Sequence, residues 1–148
     1  MSHTLPIHIY IADDDADDRL LIRDAFLESA HQARLTFYED GETILQGLSD
    51  ALATRTLPQL ILLDLNMPGK DGRQVISELK ADIAFRHIPI VVLTTSGADE
   101  DIESCYSLGA SSYIVKPVSY DGLLDIVRSL KHYWMETTVL PGKNKHYV

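Results

Sequence analysis

The sequence predicts a doubly wound α/β sandwich, a five-stranded parallel sheet with helices on both faces, and three observations predict it. Short apolar runs rich in β-branched residues recur at 7–12, 34–38, 60–63, 90–93 and 112–115. Each is followed by a segment with helical spacing, at 16–29, 41–53, 72–81, 99–108 and 120–133. Two runs, Leu60-Ile61-Leu62-Leu63 and Ile90-Val91-Val92-Leu93, are apolar without alternation, as strands covered on both faces of a parallel sheet must be. Right-handed crossovers wind the helices onto the two sides, and such sheets carry their functional site at the carboxyl ends of the strands.

The chain has 148 residues, enough for one domain that buries ~70% of the surface exposed by its unfolded chain. A hydrophobic share of 45% and a charged share of 24% exclude a wholly disordered protein. The net charge of −9 argues against nucleic acid, whose binding is driven by Lys and Arg releasing counterions. Cys105 is the only cysteine, so no intramolecular disulfide can form, and a buried, inert thiol is expected. Residues 1–10 lack the basic region and apolar run of a signal peptide, and no apolar stretch approaches the ~20 residues that span a bilayer. The expectation is a cytoplasmic protein without a membrane partner.

The last helix carries Leu123, Ile126, Val127, Leu130 and Trp134 at core spacing. Beyond Trp134, Thr137-Thr138-Val139-Leu140 and Pro141-Gly142-Lys143-Asn144-Lys145 do not continue a helix. A domain over 1–134 is therefore expected, with a tail over 135–148 that is frayed or docked on a partner.

Four signals carry chemistry. The first is Asp13-Asp14-Asp15-Ala16-Asp17-Asp18, where the first strand should end and the first helix begin. One or two of these carboxylates suit helix capping, but five within six residues repel one another unless a cation neutralises them, and clustered hard oxygens suit Mg²⁺. The second is Asp64, directly after a buried strand, where an ionised carboxylate is costly unless paired or metal-bound. Pro68, Gly69 and Gly72 turn the chain after it. The third is Thr94-Thr95-Ser96, whose hydroxyls could donate to an anion or merely cap a turn. The fourth is Lys116-Pro117, where the lysine could reach inward as a point charge. These positions end strands one, three, four and five, which converge in a doubly wound sheet. Carboxylates, a hydroxyl and one ammonium are the inventory for moving a phosphoryl group onto an aspartate, with Asp64 as nucleophile.

With Asp13-Asp14, Asp64, Asn66-Met67-Pro68, Asp71-Gly72, Thr94 and the phrase Gly109-Ala110-Ser111-Ser112-Tyr113-Ile114-Val115-Lys116-Pro117, residues 7–133 resemble the receiver domain of two-component response regulators. The resemblance implies a flavodoxin-like receiver fold and a single-domain response regulator that accepts a phosphoryl group from a sensor histidine kinase and switches shape. The same resemblance implies a signalling protein and phosphoprotein, not an enzyme beyond assisting its own phosphorylation and dephosphorylation. By that resemblance Asp64 is the phosphoacceptor, and Asp13, Asp14, Asp64 and the backbone carbonyl of Asn66 hold Mg²⁺. Thr94 and Lys116 contact the phosphoryl group, Thr94 and Tyr113 form the switch, and the Lys116–Pro117 bond is expected cis. Thr95 departs from the small residue usual after the threonine.

Residues 31–33 and 47–58, together with Tyr133-Trp134 and Val139-Leu140-Pro141, are further similar to regulators partnered with phytochrome histidine kinases, which tend to form homodimers. A relay intermediate is an alternative role. Two other classes stay open on the residues alone. A flavodoxin-like cofactor binder shares the topology but needs a Gly/Ser/Thr-rich loop where 13–18 is acidic. An aspartyl phosphohydrolase typically has a second Asp where this chain has Asn66.

Overall fold

The computed structural model describes residues 6–29 and 32–141. The order is β1 (Ile7–Ala12), α1 (Ala16–Glu28), β2 (Ala33–Tyr38), α2 (Gly41–Thr54), β3 (Leu60–Leu63), α3 (Gly72–Ala81), β4 (Ile90–Thr94), α4 (Asp99–Leu108), β5 (Ser112–Val115) and α5 (Tyr120–Lys131), then a π-helical turn, His132–Thr137. The strands run parallel in the order β2-β1-β3-β4-β5, the doubly wound sheet that the sequence predicts. The chain steps from β1 outward to β2 and returns past β1 to β3, so the crevice between the ends of β1 and β3 is the topological switch point.

The two-residue period of a strand divides the core in two. Ile7, Ile9 and Ile11 of β1, with Leu60, Leu62, Val91 and Leu93, pack under α1 and α5. Their neighbours Tyr10, Ala12, Ile61, Leu63, Ile90 and Val92 pack under α2, α3 and α4. Every residue of β3 and β4 is buried, which explains why their runs show no alternation. Burying each large aliphatic side chain contributes about 1.5–3 kcal/mol. Cys105 is wholly buried in the second core, and burial raises its thiol pKa.

Side chains fix where the helices begin. Asp15 caps α1, Asp40 caps α2, Asp71 and Gln74 form a capping box on α3, and Ser119 caps α5. Helix α4 has no side-chain cap and ends at Gly109, whose φ of 113° favours glycine. Helix α5 loses α-geometry at Lys131, two residues before the sequence predicts. The Thr138 N–H there reaches back to the Tyr133 carbonyl, 2.9 Å away, and the chain turns so that Leu140 is buried against the α1–α5 core. The expected cis bond at Lys116–Pro117 is trans, as is every described peptide bond. The trans form is the intrinsically favoured isomer, and the Lys116 N–H donates to the Thr94 carbonyl at 2.7 Å. His31 of the 31–33 segment, and residues 142–148 of the tail, lie outside the described residues. No described helix is long and apolar enough to cross a membrane.

Candidate functional site

Register brings the four signals together. Ala12 pairs with Leu63, so Asp13 and Asp64 leave the sheet side by side, and the Asp64 N–H donates to the Ala12 carbonyl at 3.0 Å. Thr94 pairs with Val115, which sets Lys116 one residue beyond the end of β5. Asp13 is 2% exposed, Asp64 6% and Thr94 0%, so three of the groups the sequence singles out are buried at the sheet's carboxyl edge, while Asp14 is exposed and Lys116 half-buried.

The Lys116 ammonium is the hub of this pocket. Its Nζ lies 2.7 Å from Asp13 Oδ2, 2.8 Å from Asp18 Oδ2 and 3.0 Å from Asp64 Oδ2. Burial opposes its charge, yet the bonds to Asp13, Asp18 and Asp64 hold its pKa above the ordinary lysine value. Burial raises the Asp13 carboxyl above its usual range, against the pull of the ammonium and of the Asp15 N–H, which donates to Asp13 Oδ1 at 3.0 Å. Asp64 Oδ1 accepts the Asn66 N–H at 3.3 Å, so the turn after β3 also grips this carboxylate.

Asp13, Asp14 and Asp64 each offer a carboxylate oxygen, and the three lie within 4.8 Å of one another. An all-oxygen cluster of this kind fits a hard divalent cation, and exposed Asp14 leaves one side open to solvent. Thr94 Oγ1 is buried with no hydrogen-bond partner among the described residues. Orphaned buried hydroxyls are rare and cost about 1–3 kcal/mol, so this one marks a position where an incoming acceptor would be stabilised. Thr95 is exposed in the loop that follows.

Tyr113 lies outside the carboxylate pocket. Its hydroxyl donates to the Ser96 carbonyl at 2.8 Å, and its N–H donates to the Tyr106 hydroxyl at 3.2 Å. Ser96 Oγ in turn donates to Asp101 Oδ2 at 2.5 Å, and Asp101 also pairs with Arg73. The loop after Thr94 is thus tied to β5 and to the first turns of α3 and α4. Sequence reasoning did not single out Asp18 from the acidic run. The signal was its place three residues after the cap, where the first helical turn swings a side chain back toward the strand end.

These features define a signalling class: residues 9–128 match the response regulator receiver domain, and the chain belongs to that family. Its general function is phosphorylation-dependent switching; its members are signalling proteins that bind a divalent metal at an acidic pocket and are partnered by sensor histidine kinases. Among particular relatives, the probable methanogenesis regulatory protein FilR2 of Methanothrix harundinacea is 36% identical, over 93% of this chain and 89% of its own length. Response regulator Rcp1 of Synechocystis is 33% identical over 93% of this chain and 95% of its own. The solved phosphorylated cyanobacterial phytochrome response regulator RcpA superposes with a TM-score of 0.86 at 35% identity, covering 93% of this chain and 99% of that one. The Mn²⁺-bound form of Rcp1 gives 0.79 at 32% identity, covering 92% and 99%.

Proposed function

We propose that Asp64 is the phosphoacceptor of this response regulator, with Thr94 and Lys116 contacting the phosphoryl group and Thr94 and Tyr113 forming the switch. The observation that carries this reading is the convergence of Asp13 and Asp64 on the single ammonium of Lys116, from three different strand ends. An Asp64 oxygen attacks the phosphorus of a phosphohistidine or acyl phosphate. A P–O bond forms on the aspartate as the donor's own bond to phosphorus breaks, and that electron pair leaves with the donor. Lys116 stabilises charge on the phosphoryl oxygens, and Thr94 Oγ1 gains the acceptor it lacks. Asp13, Asp14, Asp64 and the Asn66 carbonyl would hold Mg²⁺, which supplies charge neutralisation when bound.

Displacement of Thr94 toward a phosphoryl group would pull the loop on which the Tyr113 hydroxyl rests, and so pass the signal to β5 and α4. The chain catalyses nothing beyond its own phosphorylation and dephosphorylation in this reading, and it works in the cytoplasm. Residues 1–134 form the receiver unit in this reading, and the tail over 135–148, from which Leu140 packs on the unit's own α1–α5 core, is frayed or docked on a dimer partner. Light scattering with and without that segment tests the dimer. The likeness to RcpA supports a phytochrome-type histidine kinase as partner, tested by phosphotransfer from such a kinase compared with an unrelated one.

The deciding experiment is incubation with Mg²⁺ and a small acyl phosphate, followed by intact mass. One phosphoryl group per wild-type chain and none on Asp64→Asn is the expected result. Label that persists in Asp64→Asn overturns the assignment.

A further inference from the structure

The Lys116 ammonium has three N–H donors, and three carboxylates take them: Asp13 at 2.7 Å, Asp18 at 2.8 Å and Asp64 at 3.0 Å. Two of those acceptors, Asp13 and Asp64, belong to the oxygen cluster that fits a divalent cation, together with Asp14. Asp18 does not. A cation in the cluster therefore draws on two of the ammonium's three anchors, and by like charge it pushes the ammonium away.

We propose that Asp18 is a positioning residue that holds Lys116 beside Asp64 while Asp13, Asp14 and Asp64 are engaged by a divalent cation. The inference rests on the reading of Asp64 and Lys116 given above and adds a residue to it. Asp18 is well built for the task. Its own N–H donates to Asp15 Oδ1 at 3.1 Å, so the capped first turn of α1 fixes its backbone. The helix N-terminus favours a carboxylate there. Its side chain is 34% exposed while that of Lys116 is 11% exposed, so it can follow the ammonium when a phosphoryl oxygen becomes a second partner.

An unheld lysine also has somewhere to go. A cavity of about 170 Å³ is lined by both Asp18 and Lys116, together with Leu21, Ile22, Tyr120 and Leu123. Lysine is a point charge on a flexible stem, and losing its one metal-independent anchor frees that stem to leave the phosphoryl oxygens.

The test is a double-mutant cycle with Asp18→Asn, Lys116→Met and the pair, with Asp18→Glu as the conservative control. Asp64 phosphorylation by an acyl phosphate is followed at saturating Mg²⁺. Mg²⁺ affinity is measured by calorimetry without any donor. Asp18→Asn is expected to slow phosphorylation about tenfold, within the range of coupling between contacting residues, and Asp18→Glu to restore most of the rate. Asp18→Asn is also expected to weaken Mg²⁺ binding several-fold where Lys116 is present, because the ammonium then stays on Asp13 and Asp64 and competes with the cation. In the Lys116→Met background that loss shrinks. Equal losses in both backgrounds make Asp18 a mere bulk charge and overturn the proposal, as does an unchanged rate in Asp18→Asn. If the wild type takes no phosphoryl group on Asp64, the reading of the site fails first, and this inference with it.

Discussion

A hydroxyl buried without a partner among the described residues is a cost the fold keeps at Thr94. Thr94→Val removes the orphaned oxygen while conserving shape, so unfolding free energy in urea should hold steady or rise by about 1–2 kcal/mol, and phosphorylation should slow. A fall in stability would mean that the hydroxyl is satisfied in solution. Asp13 gives a second prediction, with its sign set by burial. Its folded pKa is raised, so the folded state binds this proton more readily than the unfolded chain does. The carboxylate then works against folding above the raised pKa, and the penalty fades as pH falls through it toward the unfolded value of about 3.9. Asp13→Asn in chelator should have a higher urea midpoint than wild type at neutral pH, with the gap closing in acid. Asp13, Asp64, Thr94 and Lys116 were legible in the sequence because each directly ends or follows an apolar run. Asp18 was not, because the direction it points depends on the rotation of α1 about its axis.

Among the elements, α3 bears most directly on Asp64. A Cβ on Gly72 would lie 2.5 Å from the Asp64 carbonyl oxygen and 2.8 Å from Leu65 Cα, both backbone atoms that cannot step aside. The first turn of α3 therefore presses on the strand end that presents Asp64. Gly72→Ala should lower stability by about 1–3 kcal/mol in urea and slow phosphorylation as well. A loss of stability with an unchanged rate would uncouple α3 from the site. The elements were read well where apolar runs and caps agree, as at α3, whose predicted range coincides with the observed one. They were read less well at the end of α5. His132 and Tyr133 suit a helix locally, but the backbone there widens into a π-turn as Leu140 packs against the core. Local sequence carries no sign of such long-range packing.

At the scale of the whole molecule, a chain of net charge −9 gathers part of its acidity at one edge of the sheet. A cation that binds there only in the folded state must stabilise it by mass action. Mg²⁺ at a hundredfold excess over its Kd should raise the unfolding free energy by about 2.7 kcal/mol, and chelator should reverse the gain. An unchanged midpoint would remove the metal from the cluster. The doubly wound architecture was legible because the sheet needs apolar residues on both faces of β3 and β4, a pattern no amphipathic strand produces. The trans bond before Pro117 was not legible, since it answers to three-dimensional context rather than to composition. One lysine facing three acids leaves the resting cleft short of positive charge, yet not empty of it. The ammonium thus acts as a placeholder for part of the positive charge that a divalent cation would bring to this cleft, and it already occupies carboxylate oxygens of Asp13 and Asp64.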